Sequence, residues 1–394
     1  MKYTFRISIL LAFIFMIIGC QSHKNIENQF SSINDTIIIN TKKIKGSGLY
    51  QLGASSIKLL DTSETFSNSV KYPKNINELK RYQLKTDFNE TKNYNVELLK
   101  GIKDGKPIFI VDENNNKDFT DDSIREYKTI DWSKSAVLIK CKYLINNDIK
   151  TVQDSSWLNI GDSNGNLILG KREYLTSKFK IDNEDYEIGI VEPKNPLSFT
   201  YGFQTEISIL SKSGIKKDSI SESDLITFGE ALSLNGNYYR FEKISNNGDV
   251  ITLIKDKNFE SKIGTQKGMI APSFEVITMS GDTLTNSDLQ DKLTVIANSC
   301  GCGGDKESTE AFFEMERTFG NQITILHVDS DIKMSDIGIH IDSQEKFNKG
   351  FYDNYRKEYC SRLCYVIGKD NRILEKFGIN EWKTILPIII IIIN

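Results

Sequence analysis

Leu293-Thr-Val-Ile-Ala-Asn-Ser-Cys-Gly-Cys-Gly-Gly-Asp-Lys-Glu307 is the stretch on which the reading of this chain turns. The apolar run Leu293 to Ala297 predicts a buried strand, and Asp305 through Met315 predicts a helix. Cys300 and Cys302 lie between the two. The unpaired N–H groups and dipole of a helix N-terminus favour a thiolate there, the form that attacks disulfides and binds soft metals. An oxidised Cys-Gly-Cys closes a small, strained ring that is readily reduced, and Gly301, Gly303 and Gly304 permit the torsions it needs. A second pair, Cys360 and Cys364, lies further along the chain.

Outward from this stretch, strand and helix signals alternate from residue 263 onward. Strands are expected at 293–297, 323–328, 364–367 and 373–377, and helices at 305–319, at 344–358 and from 381. The alternation argues an α/β domain over 263–394, about 130 residues and an ordinary domain size. The chain ends in six isoleucines and Asn394. That run is too short to cross a bilayer, which leaves a buried last helix or an altered end.

Three stretches carry a family resemblance. They are Gly268-Met-Ile-Ala-Pro-Ser-Phe-Glu-Val276, Ser280-Gly-Asp-Thr-Leu-Thr-Asn-Ser-Asp-Leu-Gln-Asp-Lys292 and Val366-Ile-Gly-Lys-Asp-Asn-Arg-Ile373. In their order and gaps they resemble the thioredoxin-like superfamily, nearest the TlpA/ResA-type exported thiol–disulfide oxidoreductases and the AhpC/TSA group. The resemblance covers residues 263–385 and implies a central mixed sheet flanked by helices. The loop departs from the family's W-C-x-x-C-R pattern. Aligned on the helix, Cys302 takes the nucleophile position and Asp305 that of the second cysteine; aligned on the strand, Cys300 is the nucleophile. Arg362 stands where the family has a cis-proline, which implies that Cys360 and Cys364 lie near Cys300 and Cys302. Arg362 would then favour the thiolate. The neighbouring thiol or Cys364 would resolve the mixed disulfide. The T-x-x-C context of a peroxidase is absent.

Two other readings of the thiols stand beside this one. A thioredoxin-like frame can carry purely structural disulfides, giving a non-catalytic binding or structural protein. C-x-C plus C-x3-C could also hold Cu(I) or Zn(II), with His327 as a further ligand.

The N-terminus reads as a targeting segment rather than fold. Lys2 and Arg6 precede the apolar Ile7 to Ile18, which is too short for a comfortable span, and Ile17-Ile18-Gly19-Cys20 looks like a bacterial lipobox. The expectation is a signal peptide over 1–19 and a lipidated Cys20 with a polar tether over 20–40. The body would then be an exported lipoprotein, anchored to the membrane and facing the periplasm. Its expected partners are thiols and disulfides of envelope proteins. Removing Cys20 leaves five cysteines, an odd count that makes Cys141 a buried bystander.

Between 41 and 262 the chain reads as a mainly antiparallel β region, of one subdomain or of two with a boundary near 145–175. The segments Asn237 to Ile244 and Val250 to Ile254, joined by Asn246-Asn-Gly-Asp249, predict a hairpin. Asp112, Asn114, Asn116 and Asp118 have the 1, 3, 5, 7 spacing of a calcium loop. The sixth position is Lys117, not Gly, and the twelfth is Ser123, not Glu. A polar hairpin loop with Asx turns is the favoured reading, weak Ca2+ binding the other. The region carries no catalytic motif. With 26% charged residues and a net charge of −3, the chain has no basic field for nucleic acid.

Overall fold

The computed structural model describes residues 31–33, 35–60, 68–87, 94–127, 138–147, 150–163, 166–192, 196–289, 292–300, 305–329, 337–356, 358 and 360–393. The expected signal peptide, Cys20 and Cys302 lie outside them. The described chain is strand-rich with few helices.

Ile139–Asn147 shows why the first two-thirds forms sheets. Ile139, Cys141, Tyr143 and Ile145 face inward, and Lys140, Lys142 and Leu144 face out, the period-two pattern of a half-buried strand. Its sheet pairs Ser55–Ser56, Asn166–Lys171, Lys150–Ser163 and Ile139–Asn147, all antiparallel. A four-stranded sheet built on Asn77–Lys85, Asn95–Lys103 and Lys106–Val111 packs on it around Leu98, Val111, Tyr143 and Leu158.

A second β core has its own pair of sheets. The predicted hairpin is present as Asn237–Ile244 and Val250–Lys255, and Thr36–Asn40 pairs with its second strand. Lys42–Lys45 pairs with Glu173–Ile181 in the facing sheet. Ile37, Ile39, Leu175, Ile188, Phe241 and Leu253 fill the space between. The two β cores are therefore nested rather than serial: residues 55–171 are inserted between strands 42–45 and 173–181. A single boundary near 145–175 catches one edge of the insertion and misses the other.

The last sheet runs in the order Ile339–Ile341, Thr324–Val328, Thr294–Asn298, Leu363–Ile367, Ile373–Gly378. The first three strands are parallel, and the last two run antiparallel to their neighbours. Thr294–Asn298 is buried at every position, as a strand covered on both faces must be. Val295 and Ala297 face the helices Lys306–Phe319 and Trp382–Ile393. Ile296 faces Phe274, Phe351 and Tyr355 on the other side.

The expected helix over 344–358 is instead a 3-10 turn, one helical turn and a π-helical turn, Tyr352–Arg356. The closing isoleucines form a last helix, with Leu386 and Ile390 buried and Ile388, Ile391 and Ile392 exposed. Among the described residues no helix is long and apolar enough to cross a membrane.

Candidate redox site

Asn298 ends the central strand and anchors the loop beyond it. Its side-chain amide donates to the Tyr355 and Leu363 carbonyls, at 3.0 and 2.8 Å. Ser299 donates its backbone N–H to the Val328 carbonyl at 3.1 Å and its hydroxyl to the same oxygen at 2.9 Å. Cys300 is thereby delivered at the C-terminal end of the middle strand, against the helix that starts at Lys306. It is nearly buried and disulfide-bonded.

Asp305 is the N-cap of that helix and ties it to Cys300. One carboxylate oxygen accepts the Ser308 N–H at 3.3 Å, satisfying a donor the helix cannot. The other accepts the Cys300 N–H at 2.7 Å. Arg362 closes on both oxygens, Nη2 at 2.7 Å and Nε at 3.2 Å. Burial pushes the Asp305 carboxyl up. The Ser308 and Cys300 bonds and the Arg362 charge together outweigh it and hold the group below the usual carboxylate range. Arg362 is thus committed to a carboxylate rather than to a thiol.

The other cysteines separate by environment. Cys360 is exposed and free. Cys364 is free and fully buried, paired in register with Ala297 and packed among Val295, Phe312 and Phe377. Burial pushes its thiol well above the ordinary value. The position is close to the loop, as the resemblance implied, but the thiol faces the core and is not poised to resolve a mixed disulfide. Cys141 is free and buried in the β region.

His327 lies on the same face as Cys364, one strand beyond Ala297. It is fully buried, stacks on Phe312 with ring centroids 3.9 Å apart, and neither ring nitrogen has a hydrogen-bond partner. Burial, then the neighbouring His340, press its pKa down to about 3 against a weaker pull from Asp305. A packed neutral ring explains it better than a metal ligand. Among the described residues no cluster of His, Cys, Asp or Glu is placed to hold a metal ion.

The 112–118 loop folds onto its own backbone. Asp112 accepts the Asn116 and Lys117 N–H groups at 3.0 and 2.9 Å, Asn114 accepts Asn116 N–H at 3.1 Å, and Asn116 accepts Asp118 N–H at 2.7 Å. Asp118 pairs with Lys71 at 2.5 Å. These are Asx turns, whose oxygens are already engaged by N–H donors.

Beside Arg362 opens a cleft of about 610 Å3, walled by the β region and the helical unit. Tyr50, Ile220, Glu222 and Leu225 face Glu307, Arg362, Ile379 and Asn380 across it. Sequence reasoning missed Glu222 altogether. It lies far from the cysteines along the chain, and a glutamate in a polar turn carries no signal of its own.

Comparison with solved structures returns thioredoxin-like proteins. The thioredoxin domain of a thiol-disulfide oxidoreductase from Bacteroides vulgatus is 16% identical, with a TM-score of 0.25, covering 33% of this chain and 99% of that one. Copper-bound ScoI from Bradyrhizobium japonicum is 16% identical, with a TM-score of 0.24, covering 28% and 90%. Copper-bound yeast Sco1 is 14% identical, with a TM-score of 0.26, covering 31% and 92%. No family model and no curated protein matches this chain.

Proposed function

We propose that this chain is a thiol–disulfide oxidoreductase acting on disulfides of exported envelope proteins. Its redox unit would span residues 263–394, anchored through a lipidated Cys20 after removal of residues 1–19. The observation that carries the reading is the disulfide-bonded Cys300 at the C-terminal end of the central strand, against a capped helix N-terminus and beside an open cleft. Cys302 is the natural second thiol by sequence, since Cys364 is sequestered in the core.

In the reduced protein, a thiolate of the pair attacks one sulfur of a substrate disulfide. The substrate S–S bond breaks, a mixed disulfide forms, and the departing substrate thiolate takes up a proton. The second thiol, deprotonated, attacks the mixed disulfide, releasing the substrate dithiol and closing the protein's own disulfide. Two electrons pass to the substrate, and an external dithiol must return them.

Disulfide mapping by mass spectrometry across glutathione buffers tests this. Reversible opening near about −200 mV, the range of exchange enzymes, is the expected result. A bond that stays closed below about −300 mV behaves as structural, and the protein is then a binding module on a thioredoxin-like frame.

A further inference from the structure

One side chain of the β region reaches the segment that carries Arg362. Glu222, in the 3-10 turn Glu222–Asp224, directs both carboxylate oxygens at one segment. Oε1 accepts the Ser361 hydroxyl at 3.0 Å, and Oε2 accepts the Arg362 N–H at 3.3 Å. From the other side the buried Arg356 donates to the Ser361 carbonyl at 2.5 Å. Arg362 continues to Asp305, and Asp305 accepts the Cys300 N–H at 2.7 Å. The turn is itself braced: Asp224 accepts the Ser221 N–H at 2.9 Å and pairs with Lys217.

We propose that Glu222 is a positioning residue of the redox site, fixing the 361–362 segment so that Arg362 stays on Asp305 and Cys300 reacts beside a neutralised carboxylate. The inference rests on the redox reading above. The Arg362 side chain is 44% exposed, so a segment released from Glu222 lets the guanidinium turn to solvent. The Asp305 carboxylate then loses its cationic partner and presents more negative charge next to Cys300, which disfavours the thiolate. This sign is diagnostic. Deleting a glutamate that acted only through space would favour the thiolate, whereas deleting a positioning glutamate disfavours it.

The test is the pH profile of Cys300 alkylation by iodoacetamide in the reduced full chain, read by mass spectrometry. Glu222→Ala should slow the reaction about threefold near pH 6 and move the profile to higher pH, as a thiol pKa raised by about half a unit requires. Glu222→Gln, which keeps one acceptor oxygen, should fall between it and wild type. Lys216→Ala removes an exposed neighbouring charge outside the Glu222 turn and should leave the profile in place. A Glu222→Ala profile that superimposes on wild type, or moves to lower pH, overturns the proposal. So does a Lys216→Ala profile that moves as far as Glu222→Ala. A wild-type disulfide that does not open reversibly overturns the redox reading and this inference together. A wild type that cycles while Glu222→Ala is unmoved overturns the inference alone.

Discussion

Asp305 was visible in the sequence as a residue that begins a helix, with Ser308 three positions on. That it also receives Cys300 and Arg362 was not, because Arg362 lies 57 residues away and only the return of the Leu363–Ile367 strand brings it over. The cysteines show the same division. Their order along the chain announced redox chemistry, but which thiol points to the core depends on strand parity, and only the register of Cys364 with Ala297 settles it. His327 supplies a prediction at this scale. Its folded pKa is depressed to about 3 from the ordinary 6.5, so the unfolded chain takes up the proton first. Stability is full above pH 6.5 and declines as pH falls toward about 3. His327→Phe, which preserves a ring against Phe312, should flatten the fall in melting temperature between about pH 6.5 and 4. Parallel curves for the two proteins would show that His327 does not carry the acid sensitivity.

Among the elements, four of the five strands of the last sheet fell within a residue or so of their apolar runs, because a buried strand leaves a clear hydrophobic signature, whereas the short edge strand Ile339–Ile341 was not foreseen. The segment 344–358 did not behave as one helix, and Asn348 gives the reason. Its side chain is fully buried, accepts the Ile277 N–H at 2.8 Å, and donates to the Ile277 and Asp342 carbonyls at 3.0 and 2.8 Å. Three bonds to the Glu275–Ile277 strand and its neighbour outweigh helix propensity, and the chain bends to make them. Periodicity in the sequence sees the helix and not the strand it must meet. Asn348→Ala strips partners from buried backbone groups and should cost about 2–3 kcal/mol in denaturant unfolding. A loss under about 0.5 kcal/mol would mean that water replaces the side chain.

At the level of the whole molecule, composition and alternation announced a β-rich part followed by an α/β part. The nesting of one β core in the other was not legible. It depends on Lys42–Lys45 meeting Glu173–Ile181, a pairing no local pattern encodes. Lys171 lies at the joint between the cores. Its ammonium is fully buried over the Tyr201 ring, with no hydrogen-bond partner. Burial presses its pKa down to about 8, against a smaller upward pull from Glu173. The unfolded lysine therefore protonates first as pH falls from 10.5 to about 8, and stability is lost across that window. Lys171→Met should raise the melting temperature at pH 7 and remove the alkaline slope. A lower melting temperature would show that the attraction to Tyr201 and Glu173 outweighs desolvation.

The nesting also imposes an order of events on a chain made from its N-terminus. Thr36–Asn40 joins the rest of its sheet only through Val250–Ile254, and about two hundred residues must be synthesised before that ladder can zip. Until then the strand of Ile37 and Ile39 has only Ser31–Ile33 beside it and one edge open, while the inserted core at 55–171 has every strand it needs and can close first. The newborn protein thus passes through an interval in which a finished module dangles from an adhesive ribbon, an interval in which a holding chaperone would find its grip.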